Sequence, residues 1–120
     1  MRVLKMLGGI AVLLMPVAAA AQKLTPGTWT GSITPPNSQA INAAFDVKTA
    51  GDTTLITLKA DGRDINFTGV KVEADRLLFT FATDAIVTCT LQRKDDQSYS
   101  GSCVDGRGGS GTIVMIPPKS

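Results

Sequence analysis

Ala85-Ile-Val-Thr-Cys-Thr-Leu-Gln-Arg-Lys-Asp-Asp-Gln-Ser-Tyr-Ser-Gly-Ser-Cys-Val-Asp105 carries both cysteines of the chain and reads as a strand, a turn and a second strand. The turn is Lys94-Asp95-Asp96-Gln97-Ser98, the group richest in turn-forming side chains in this region. Setting Cys89 opposite Cys103 puts the midpoint of the hairpin at Asp96, inside that turn, and sets Leu91 against Gly101 and Arg93 against Tyr99. Opposed residues on antiparallel strands have Cβ atoms roughly 4.5 to 5.5 Å apart, and closer in non-hydrogen-bonded pairs. A disulfide needs about 3.5 to 4.5 Å. Register, turn and cysteine positions agree, so a cross-strand Cys89–Cys103 disulfide is expected. It closes a loop of about 15 residues, a constraint on the order of 3 kcal/mol before native strain is subtracted. The chain has no His and no second cysteine pair, so these thiols do not complete a zinc site and no metal or cofactor is expected.

The compartment follows from the N-terminus. Arg2 and Lys5 precede an apolar run from Leu7 to Val17, and Ala19-Ala20-Ala21 offers a small-x-small cleavage site before Gln22. Residues 1–21 are therefore expected to be a secretory signal peptide and residues 22–120 a single β-barrel domain. The apolar run is too short for a convincing membrane span, and no later stretch approaches the ~20 apolar residues a span needs. No Cys follows the cleavage site, which argues against a lipid anchor there. The expected location is the periplasm or the exterior, oxidising compartments in which a structural disulfide persists.

Removing the signal also changes the charge. The precursor has 12 basic and 10 acidic residues; loss of Arg2 and Lys5 leaves ten of each and a formal charge of zero. A neutral chain without a Lys/Arg stripe has no electrostatic footprint for nucleic acid or an anionic membrane.

The rest of the chain is short, β-rich and punctuated by turn residues, with no apolar period of 3.6 long enough for a helix. Eight strands are predicted. Thr28–Thr34 stops at Pro35-Pro36-Asn37-Ser38, and Ile41–Lys48 points Ile41, Ala43, Phe45 and Val47 one way and Asn42, Asp46 and Lys48 the other. Thr53–Ala60 is joined by Asp61-Gly62, a strong two-residue hairpin signal, to Asp64–Val72. Within that fourth strand the apolar parity shifts beyond Gly69, which predicts a bulge or bend at Thr68-Gly69. Arg76–Ala82 puts Leu77, Phe79 and Phe81 on one face; the cysteine hairpin and Gly111–Ile116 complete the set.

Eight short strands joined by short turns predict an all-β fold: one small antiparallel up-and-down barrel, which pairs every neighbour and removes exposed edges. A β-sandwich is the alternative and usually needs longer crossing connections. The expected inward set is Trp29, Ile33, Phe45, Val47, Ile56, Leu58, Phe67, Phe79, Phe81, Val87, Leu91 and Val114, with the disulfide among them. Gly31, Ala43, Gly69 and Gly101 are the small inward positions.

Gly27-Thr28-Trp29 at the opening of the first strand resembles the Gly-x-Trp start of the calycin barrels, the lipocalins, fatty-acid-binding proteins and avidins. Gly27 to Gly31 is similar also to secreted bacterial domains with a Gly-x-Trp-x-Gly start. The calycin resemblance implies a lipocalin-like barrel in which Trp29 plugs one end. The last strand carries no Arg to pack over it, and Lys119 follows two prolines.

Catalysis is poorly supplied. Without His, Ser-His-Asp and Cys-His arrangements are excluded, and Asp95-Asp96 reads as a solvated turn. Gly106-Arg107-Gly108-Gly109-Ser110-Gly111 is glycine-rich, but no Lys follows in Walker spacing; it reads as a turn between the last two strands. Asp-Gly-Arg occurs at Asp61 to Arg63 and again at Asp105 to Arg107, both at turns.

The chain is thus expected to be a non-enzymatic binding protein. An eight-stranded barrel is either filled or just able to hold one small ligand. If it holds one, the predicted ligand-binding residues are Trp29, Phe45, Phe67, Phe79, Phe81 and Tyr99, with Arg93 as a polar anchor at one mouth and a small apolar molecule as ligand. The alternative is a protein-binding barrel, such as a protease or lysozyme inhibitor acting on a secreted partner through the rim loops Pro35–Ala40 and Gly106–Ser110, or a structural module.

Overall fold

A computed structural model of the protein describes residues 24–119; the expected signal peptide, residues 1–21, lies outside them. Nine strands form one antiparallel sheet: β1 (Gly27–Thr34), β2 (Ile41–Ala50), β3 (Thr53–Ala60), β4 (Arg63–Asn66), β5 (Thr68–Val72), β6 (Arg76–Ala82), β7 (Ile86–Arg93), β8 (Tyr99–Asp105) and β9 (Ser110–Ile116). Their order is β4-β3-β2-β1-β9-β8-β7-β6-β5. The two strands at the ends of this order, β4 and β5, are separated in sequence only by Phe67. The sheet therefore closes on itself through one strand that begins on β3 and finishes on β6.

This divided strand is why nine strands stand where eight are expected. Arg63 to Asn66 pair with Ala60 to Thr57 on β3. The Phe67 amide still donates to the Ile56 carbonyl, at 2.9 Å. From Thr68 the chain pairs with β6, and the register slips between Thr68 and Lys71. Gly69, at φ 59°, occupies the slip, in backbone space that side chains rarely adopt. The bulge expected at Thr68-Gly69 is present, and it is the device that transfers the strand from one neighbour to the other.

The cysteine hairpin has the expected register: Cys89 faces Cys103, Leu91 faces Gly101 and Arg93 faces Tyr99. The disulfide is formed, with Cα atoms 4.1 Å apart. At Asp61-Gly62 both residues have positive φ, 51° and 72°, the geometry of the type I′ turn that matches strand twist.

Inward side chains fill the middle of the barrel. Phe45, Val47, Ile56, Leu58, Leu77, Phe79, Cys89, Leu91 and Met115 are all essentially inaccessible to solvent. Two expected inward positions are corrected: Gly69 is exposed at the bulge, and Val114 faces outward, with Ile113 and Met115 buried instead. Residues 113 to 116 are apolar at both parities, so alternation there cannot choose a face. The β8 ladder does: Cys103 opposes Gly111, Gly101 opposes Ile113 and Tyr99 opposes Met115, which carries the inward parity of the disulfide across to β9.

Candidate functional site

An up-and-down path alternates ends. With β4 and β5 counted as one divided strand, the first, third, fifth and seventh links, Pro35–Ala40, Asp61–Gly62, Thr83–Ala85 and Gly106–Gly109, lie at one end of the barrel, and the even-numbered links lie at the other, with residues 24–26 and 117–119. The two ends are built differently.

At the end where β1 begins and β9 finishes the barrel is shut. Leu24, Trp29 and Tyr99 are buried together, with the Trp29 and Tyr99 ring centroids 6.0 Å apart. The Trp29 indole Nε1 donates to the Thr25 carbonyl at 2.8 Å, which fixes the segment before β1 against the plug. Burial pushes the Tyr99 phenol above its ordinary value, against a smaller opposing effect of the Arg93 charge. Arg93 itself is exposed here, and its guanidinium donates to the Ala74 carbonyl at 3.4 Å.

Next comes an aromatic column. Phe67 and Phe79 stack face to face with centroids 3.9 Å apart and planes 7° from parallel. Phe45 lies 6.4 Å from Phe67, and Phe81 5.4 Å from it on the side toward the other end.

Beyond Phe81 the interior is open. A cavity of about 280 Å³ lies at this end, walled by apolar side chains including Ile33, Leu58, Ile65, Phe81, Val87 and Ile113. Cys103 is part of its wall, so the disulfide braces the site. Its polar contributors include Thr34, Asp61, Arg63 and Asp105. Asp105 organises the adjoining turn: its Oδ1 accepts from the amides of Arg107 at 2.8 Å and Gly109 at 2.9 Å. A Cβ built on Gly109 would lie 3.1 Å from Cγ of Pro36, so this turn abuts the Pro35–Ala40 loop beside it on the rim, where β1 and β9 pair. Apolar walls with a few polar groups at the opening are the usual form of a small-molecule site.

The structure thus divides the predicted ligand-binding residues. Phe81 lines the cavity. Phe45, Phe67 and Phe79 are packed core beneath it, and Trp29, Tyr99 and Arg93 meet at the opposite end. Arg93 does face Tyr99, but across the shut end, so the polar groups at the mouth are Asp61, Arg63 and Asp105. Their signal in the sequence is the repeated Asp-Gly-Arg at two odd-numbered links, which strand counting places on one end. Among the described residues no group of three or more His, Cys, Asp or Glu side chains is arranged to hold a metal ion.

The chain is similar in structure to a redesigned β-barrel, with a TM-score of 0.54 and 21% identity, covering 85% of this chain and 96% of that one. At that identity the likeness bears on the fold alone. No family model and no curated protein matches the sequence.

Proposed function

We propose that the protein is a non-enzymatic binding barrel of the periplasm or cell exterior that holds a small apolar molecule in the cavity at its open end. The observation that carries this reading is the asymmetry of the interior: a plugged end, a filled middle and an apolar-walled space of about 280 Å³ under one mouth. The signal-like N-terminus and the Gly27-x-Trp29 start support the location and the kind of barrel. The neutral charge of residues 22–120 and the absence of His support neither a nucleic-acid partner nor acid-base catalysis.

The contact between Pro36 and Gly109 favours one second reading, in which the joined rim loops Pro35–Ala40 and Gly106–Ser110 grip a secreted protein such as a protease or lysozyme. A neutral apolar fluorophore separates the two. It should bind saturably to the wild type and lose at least tenfold in affinity in Ala60→Trp, which places a large ring in the cavity wall at the end of β3. Equal binding by that variant, or none by the wild type, would move the function to the rim.

A further inference from the structure

We propose that Phe81 sets the depth of this cavity, so that the barrel takes an apolar molecule of up to roughly a dozen non-hydrogen atoms and gains nothing from a longer chain. The inference rests on reading the cavity as a binding site and names the class of molecule it takes. Phe81 stands where three features meet. Its ring lines the cavity. With Arg63 and Ile65 it also lines a depression on the barrel wall between β4 and β6. That depression exists because of the divided strand: β4 turns toward β3, while Phe81 and Ala82 on β6 extend past the last pairing with β5, at Thr80. On its inner side Phe81 packs on Phe67, which stacks on Phe79.

A chain entering from the mouth therefore meets a column of rings rather than a tunnel. Moving it aside would mean repacking Phe67, Phe79 and Phe45, all buried in a close-packed interior. The available volume sets the size of the guest. A cavity of ~150 Å³ holds benzene, and about 280 Å³ is nearly twice that. Truncating Phe81 would remove the ring that separates the cavity from the β4–β6 depression and so lengthen the space.

Calorimetric titration of the whole protein with straight-chain 1-alkanols from hexanol to tetradecanol tests this. In the wild type each added methylene should tighten binding about threefold to fourfold up to roughly ten to twelve carbons, the length that fills about twice a benzene's space; further carbons should add nothing. In Phe81→Ala the break should move to longer chains, and in Phe81→Leu, which keeps more of the packing, it should move less far in the same direction. Affinity that keeps climbing through tetradecanol in the wild type, or a break at the same length in both variants, would overturn the role of Phe81 while leaving the cavity a binding site. No binding of any alcohol by the wild type would overturn the binding reading itself.

Discussion

A Cβ on Gly101 would run into the carbonyl of Thr90 on β7, and one on Gly31 into the carbonyl of Val114 on β9. At both points the neighbouring backbone occupies the space where a side chain would begin, as strand bending in a small closed barrel requires. Gly101→Ala should therefore lower stability by about 2 kcal/mol or more, an overpacking cost with backbone as the obstacle. Gly106→Ala, with open space around its Cβ position, should stay within about 0.5 kcal/mol. Urea unfolding of the two variants beside the wild type checks the contrast; similar losses in both would show that the close approach at Gly101 is relieved in solution. At this scale much was legible. The cysteine pairing follows from a turn lying midway between two cysteines, and Gly101 inherits its inward place from the same register. Val114 was not legible, because a run that is apolar on both faces contains no information about which face is buried.

The β7–β8 hairpin carries the disulfide, and its turn is held by a carboxylate. Oδ1 of Asp96 accepts from the Ser98 hydroxyl at 2.6 Å and from the Ser98 amide at 2.9 Å. These bonds, the hydroxyl first, hold the Asp96 carboxyl below its ordinary 3.8. A carboxyl whose pKa is lower folded than unfolded contributes stability that is present above the unfolded value and lost as pH falls through the folded one. The protein should therefore lose stability as pH drops below about 3.8, and Asp96→Ala should flatten that part of the curve while lowering the plateau at neutral pH. Unfolding midpoints measured between pH 7 and 2 report both effects; an unchanged acid limb in Asp96→Ala would mean that the turn carboxylate contributes nothing to it.

The other informative element is the divided strand. Its bend was legible from the parity shift at Gly69, but its change of partners was not. Periodicity tells which way a side chain faces, whereas the neighbour each half pairs with depends on closure of the whole sheet.

Closure also decides what the whole molecule can do. Consecutive antiparallel strands with short links leave no room for a crossover, so the barrel itself could be read from spacing and turn chemistry. The location of the cavity could not. The aromatic side chains look from sequence like the lining of a binding site, yet they are the largest inward groups available and fill the middle, leaving the open volume where smaller Ile, Leu and Val side chains converge. A cavity is the small difference between the space a barrel encloses and the volume of what points into it, and alternation alone does not contain that difference.

A residue-resolved NMR titration of the protein with 1-octanol, following backbone amides at both ends of the barrel, probes the open-end cavity directly. Occupation of that cavity should give saturable shifts at Ile65, Phe81 and Val87, with Trp29 and Tyr99 unmoved. Shifts centred on Trp29 and Tyr99, or no saturable shift anywhere, would contradict it.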